Sequence, residues 1–227
     1  KNSHFKELRE LAVELDKLSH WMYPIANGEK EDAIANEYRE SDEYKAVSQY
    51  IHETYVHVRR TRTEQHHCSA FFPSRDALEH GEIYMFVGNK RAEPTARSIS
   101  FRGTSLGRYG LDSAVMHDFD SKGPGKTSFD EWSESLLDEA IAPSKEPLKT
   151  LNITGHSLGG AQAQLLFVKV LEQIKTSPDF FKDLESINLM LFSSAGVDSQ
   201  VEAKSNRLIK TIMKNNEGRD NPISINI

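Results

Sequence analysis

The chain has 227 residues, with 28 Lys and Arg against 34 Asp and Glu, a formal net charge of −6, and one cysteine, Cys68. That length suits one domain, or one domain with an appendage, and can bury a core without a metal or disulfide staple. The acidic balance argues against a nucleic-acid partner, the lone cysteine excludes an intramolecular disulfide, and no apolar run approaches the roughly 20 residues that span a bilayer.

The first third reads as helix. Phe5, Leu8, Leu11, Leu15 and Leu18 recur at three- and four-residue steps and so share one helical face, until Pro24, Asn27 and Gly28 break the pattern. Beyond a polar stretch from Glu29 to Asp42, the spacing of Tyr44, Val47, Ile51 and Val58 predicts a second amphipathic helix. It is expected to run into Arg59-Arg60-Thr61-Arg62 as a solvated basic end. From residue 81 the texture becomes α/β, with short strands predicted at 83–87 and 98–102 on either side of a polar, proline-containing turn. Ser128-Phe129-Asp130-Glu131 matches a capping box, in which the serine hydroxyl and the glutamate carboxylate satisfy free backbone N–H groups at a helix start. The helix it opens carries Trp132, Leu136, Leu137 and Ala140 and should stop before Pro143. Leu148 to Thr154 predicts a buried strand. A helix follows, with Gly159, Gly160, Ala161 and Ala163 near its start and Leu165, Leu166, Val168 and Leu171 beyond them. Ile187 to Phe192 predicts another strand, and Arg207 to Met213 a weaker one. Strands alternating with helices imply a mainly parallel sheet with helices on both faces.

Gly155-His156-Ser157-Leu158-Gly159 falls at the junction of the predicted buried strand and the helix after it. Gly-x-Ser-x-Gly is common by chance, and its setting is what gives it meaning. A chain reversing sharply at that point has no room for side chains at Gly155 and Gly159, and it lifts the Ser157 hydroxyl clear of the sheet. At the N-terminus of the following helix, the dipole and free N–H groups favour developing negative charge, and the Leu158 N–H is placed to donate to a tetrahedral oxyanion. Upstream, the run Ser98-Ile99-Ser100-Phe101 ends in Arg102-Gly103-Thr104. An earlier strand-to-loop junction supplies the second oxyanion donor in this kind of fold, and Thr104 offers both a backbone N–H and a hydroxyl.

Together, Phe101-Arg102-Gly103-Thr104 and Ile153-Thr154-Gly155-His156-Ser157-Leu158-Gly159-Gly160-Ala161 resemble the class 3 lipase family, the fungal-lipase-like α/β-hydrolases. Leu191 to Asp198 looks like the strand and turn that follow in that family, and the resemblance runs from residue 81 to residue 222. It implies an α/β-hydrolase core over 81–227, truncated at its C-terminus, with a helical segment over 1–80 that packs on or caps it. It also implies an enzyme that cleaves carboxylic esters of lipids, as a lipase or phospholipase, through an acyl-serine intermediate and with no metal or organic cofactor. The partners expected are a lipid or other ester substrate and a transient contact with a membrane surface. The chain opens on Lys1 and not on Met, so it reads as a processed product, a fragment or the ordered part of something longer, and its localisation is not legible.

A serine hydroxyl needs an imidazole to take its proton, and the imidazole needs an acid to orient it. In this fold the chain order is serine, acid, histidine. The aspartates after Ser157 are Asp179, Asp183, Asp198 and Asp220. Asp179 and Asp183 read as solvated, and Asp198 stands where the family has a turn residue. Asp220, in Arg219-Asp220-Asn221-Pro222, looks like the family's Asp-x-x-Pro segment with the proline one place early, and it is the preferred acid. No histidine follows His156, which occupies the motif's variable position. Of the other eight, which also precede the serine, His117 alone lies where it could approach Ser157, as a minor reading. The base is therefore expected beyond Ile227. The alternative is a non-catalytic binding module on the same fold.

Two other signals are weaker. Gly123-Pro124-Gly125-Lys126-Thr127-Ser128 resembles the end of a phosphate-binding loop, but the first glycine of that motif would fall on Asp120, so a loop near the site is the better reading. His66-His67-Cys68 finds no matching ligand pair elsewhere and reads as a surface loop.

Overall fold

Apolar strands joined by amphipathic segments pair side by side and cover their faces with helices. In this computed structural model, which describes residues 2–26, 40–63, 81–89, 95–101, 103, 123–124, 126–142, 147–219 and 221–227, six strands do so in chain order. They are β1 (Tyr55–Thr63), β2 (Gly81–Asn89), β3 (Ala96–Phe101), β4 (Thr150–His156), β5 (Ser186–Phe192) and β6 (Ser224–Asn226). β1, β2 and β3 pair antiparallel, and β3 to β6 pair parallel. The described helices are α1 (Asn2–Ala26), α2 (Asp42–Thr54), α3 (Lys126–Ile141), α4 (Leu158–Thr176) and α5 (Ser199–Asn215). The architecture is α/β.

The two-residue period of a strand sorts side chains between the sheet faces. Ile187 and Leu189 of β5 join Ile99, Phe101, Leu151 and Ile153 in a core shared with α3, α4 and α5. Met190 and Phe192 point the other way and pack on Leu15, Leu18, Tyr44 and Ile51 of α1 and α2. Helices thus cover both faces. Thirteen of the 19 residues of α4 are buried, so it is the central helix of its layer and not a surface one. Its small residues Ala161 and Ala163, both fully buried, bring its backbone close to the strands.

The α1 side of the parallel strands is polar. Ser98, Asn152, Asn188 and Asn226 stand in register on β3, β4, β5 and β6. The Asn226 amide donates to Asn188 Oδ1 at 2.7 Å, Asn188 to Asn152 Oδ1 at 2.8 Å, and Asn152 to Ser98 Oγ at 3.1 Å. Ser98, Asn152 and Asn188 are all buried. On the opposite face, buried Arg97 reaches from β3 to the end of α3, donating to the carbonyls of Ala140 (2.6 Å) and Ala142 (3.0 Å). These are carbonyls a helix C-terminus leaves without partners, and a cation there also suits the helix dipole. Burial lowers the Arg97 pKa, but a guanidinium starts so high that it stays charged.

Several elements differ from what their sequences predict. Val58 and Arg59 to Arg62 belong to β1 and not to the end of a helix, because α2 stops at Thr54. Tyr55, Val56, Val58, Thr61 and Thr63 favour extended backbone, and arginines on an outer strand discourage further pairing. β1 also brings part of the first 80 residues into the sheet. Arg207 to Met213 lies within α5 and is not a strand. Its β-branched residues suggest a strand, but Leu208 and Ile212, one turn apart, are both buried and mark a helical face. α3 opens at Lys126, whose N–H donates to the Gly123 carbonyl at 3.0 Å, so Ser128 lies inside the first turn and is not its cap. Gly123 has φ +106, a conformation that favours glycine. The expected stop before Pro143 agrees with the end of α3 at Ile141.

Candidate active site

β4 ends at His156 and α4 begins at Leu158, so Ser157 alone makes the turn. Its backbone lies at φ 54, ψ −124, outside the regions open to ordinary L-residues, a strain of about 1–3 kcal/mol that persists only where the surroundings impose it. Here they do. The Ser157 N–H donates to the Phe192 carbonyl at 3.1 Å, and the Ser157 carbonyl accepts from Gly160 N at 2.9 Å and from Ala195 N at 3.0 Å. The turn is also sterically closed. A Cβ on Gly155 would stand 2.2 Å from the Gly159 carbonyl oxygen and 2.4 Å from its carbon, and one on Gly160 would stand 2.4 Å from Ser194 Oγ.

The Ser157 side chain is partly exposed and makes no capping hydrogen bond to α4. Leu158, buried, is the first residue of that helix, so its N–H has no carbonyl four residues back to bond. Phe101, the last residue of β3, pairs with Gly155, and Gly103 beyond it is buried. The exits of β3, β4 and β5 therefore gather at the carboxyl ends of the parallel strands, where open α/β sheets carry their sites. The segment at Gly123 also reaches this end: a Cβ there would lie 3.7 Å from Asp198 N.

The sequence-predicted site residues separate into two groups. Ser157 and Leu158 are consecutive residues at the turn from β4 into α4. Thr104 and Asp220 lie outside the described residues, as do His117, His66, His67 and Cys68. The neighbours of Asp220 are described, and they occupy the other end of the sheet. Arg219 donates to the Phe181 carbonyl at 2.8 Å, and β6 begins with Ser224 paired to Ser186, the first residue of β5. Ser157 bonds to Phe192, the last residue of β5. Six steps of a strand separate the two, roughly 20 Å. Asp198 lies at the carboxyl end, where its Oδ1 accepts from Gln200 N at 2.7 Å as the cap of α5. Sequence patterning alone did not find two features here: the chain leaving β5, with Ser193 at φ 45, and its bond from Ala195 to the Ser157 carbonyl. No group of three His, Cys, Asp or Glu side chains suited to a metal occurs among the described residues, and no described helix is long and apolar enough to cross a membrane.

No protein-family model and no curated protein sequence matches this chain. Among solved structures, it is similar to one described as the crystal structure of M37 lipase, at 14% identity and a TM-score of 0.47. The alignment covers 94% of this chain and 65% of that one.

Proposed function

We propose that this chain is a serine hydrolase of the α/β-hydrolase type that cleaves carboxylic esters of lipids, with Ser157 as its nucleophile. The observation that carries the proposal is the strained turn that holds Ser157 between β4 and α4, its hydroxyl free of any capping bond at the N-terminus of α4. A structural serine at that position would serve as a helix cap, and this one does not. In the reaction, a base takes the Ser157 proton as Oγ attacks the ester carbonyl. The tetrahedral oxyanion is held by the Leu158 N–H and by Thr104, and its collapse expels the alcohol and leaves an acyl-serine that water then hydrolyses. Removing one oxyanion donor costs on the order of 100- to 1,000-fold in turnover. Residues 1–80 supply α1 and α2, which pack on one face of the sheet, and a lipid surface is the expected site of substrate.

A fluorophosphonate probe applied to the full-length protein tests this. A single adduct on Ser157 is expected, absent from a Ser157→Ala variant that unfolds at the same temperature. If the native protein stays unlabelled while binding lipid vesicles, the hydrolase reading fails and a binding module on the same fold takes its place.

The acid is a separate matter. The proposal does not rest on Asp220, because Arg219 and Ser224 on either side of it sit at the amino ends of the strands. β6 runs parallel to β5, so the chain at Asn226 is heading for the end of the sheet that carries Ser157. Asp220→Ala should label at a rate within about twofold of the native protein. Asp198→Ala should lose about 1 kcal/mol of stability through its missing cap. A hundredfold fall in labelling for Asp220→Ala would assign that residue as the acid.

A further inference from the structure

We infer that Gln164 is a positioning residue for Ser157, acting through the chain that leaves β5; this rests on the hydrolase reading of Ser157. Gln164 lies on α4, four residues after Gly160, and is partly buried among neighbours that are mostly apolar. A polar amide in such a place is costly unless it is hydrogen-bonded. Its Nε2 has two hydrogens and three acceptors in reach: Ser194 Oγ at 3.2 Å, the Gly160 carbonyl at 3.3 Å and the Ala195 carbonyl at 3.4 Å. One bond returns to its own helix, and the other is shared between two atoms of the β5 exit.

That exit is fastened to the nucleophile. Ser194 Oγ donates to the Ala195 carbonyl at 2.7 Å, and the Ala195 N–H donates to the Ser157 carbonyl at 3.0 Å. Gly160 leaves no gap between α4 and Ser194, since even a methyl group would overlap the serine. Ser193 and Ser157 are the described non-glycine residues with positive φ, and Ser157 is hydrogen-bonded to Phe192 and Ala195 on either side of Ser193. Two strained residues held by one network are over-determined, and it is this condition that keeps such backbones from relaxing. Gln164 ties the β5 exit to α4, and the exit ties down the carbonyl side of the Ser157 peptide. Phe192 holds the amide side.

Without the Gln164 amide, residues 194 and 195 lose its hydrogen bonds to α4, and the Ser157 peptide can turn out of its strained setting. Oγ and the Leu158 N–H then leave the geometry that attack requires. A misplacement of this kind lowers the rate of the chemical step by up to about 100-fold and leaves substrate binding nearly untouched.

Gln164→Leu, which keeps the volume and removes the donors, tests the inference in the full-length protein, with Ser194→Ala as a second variant should the first not fold. Two readouts are needed. Labelling of Ser157 by a fluorophosphonate, and turnover of a short-chain p-nitrophenyl ester, should show kcat falling at least about tenfold with KM within about twofold. Backbone hydrogen exchange at Ala195 should speed up whether or not Ser157 is a nucleophile. The double variant should lose no more than the worse single one, because both act through one network. Native rates in a folded Gln164→Leu, or a rise in KM alone, overturn the inference while the hydrolase reading stands. Faster exchange at Ala195 in a protein that never labels removes the hydrolase reading and leaves only a structural clamp.

Discussion

Gly155→Ala costs about 3 kcal/mol or more of stability and removes the reactivity of Ser157, and chemical denaturation alongside probe labelling reads both. The nearest atoms to the added methyl would be the Gly159 oxygen at 2.2 Å, the Gly159 carbon at 2.4 Å and the Gly160 nitrogen at 2.8 Å. All three are backbone, so no rotamer change can make room. The first turn of α4 has to move away from β4, yet 13 of the 19 residues of α4 are buried, and Leu165, Leu166 and Leu171 would move with it. Interiors packed at crystal-like density resist such a shift. The reason for glycine is space and not torsion, because Gly155 does not have a positive φ. Gly196 and Gly218 have nothing within 4 Å of an added Cβ and serve as controls, expected to change stability by under about 0.5 kcal/mol as alanine. A Gly155→Ala protein that unfolds with the native midpoint and labels at the native rate would mean that the turn is not closed as described.

Ser157 could be found because the constraint on it is local: a strand, a helix and two glycines within a few positions. The face of α1 was legible for the same reason, since Leu11, Leu15 and Leu18 follow a helical period that packing then uses. Where the period was ambiguous, composition misled. Ile209, Thr211 and Ile212 are β-branched and suggested a strand, whereas the spacing of Leu208 and Ile212 carried the helix. β6 offered almost nothing to read, being three residues long with Asn226 held by a side-chain bond to Asn188. β6 bears on the Asp220 segment, whose described neighbours lead into this last strand from the end of the sheet opposite Ser157. A motif can mark a strand-to-helix turn, but which end of a sheet a loop occupies depends on long-range pairing that a single sequence does not display.

Asn152→Leu is the second large effect, at about 3 kcal/mol of lost stability by denaturant unfolding. Asn152 is 6% exposed and sits in the middle of the polar row, accepting from Asn188 and donating to Ser98. A leucine there adds apolar burial but strands two buried groups, the Asn188 amide and the Ser98 hydroxyl, each costing about 1–3 kcal/mol when left unpaired. The row also distinguishes registers. A slip of one residue between β4 and β5 would reverse their faces, which the apolar core already forbids. A slip of two keeps the faces and is not forbidden by hydrophobicity alone, but it sets Asn152 opposite Ser186 or Met190 in place of Asn188 and breaks the chain of amides. Buried polar groups of this kind trade some stability for a single arrangement. Replacing both partners is the sharper measurement. Asn152→Leu with Asn188→Leu should cost less than the two single changes added together, because the double variant removes a pair where each single one leaves an orphan. Strict additivity would mean that the asparagines act independently and that their alignment across the strands is not what holds the register.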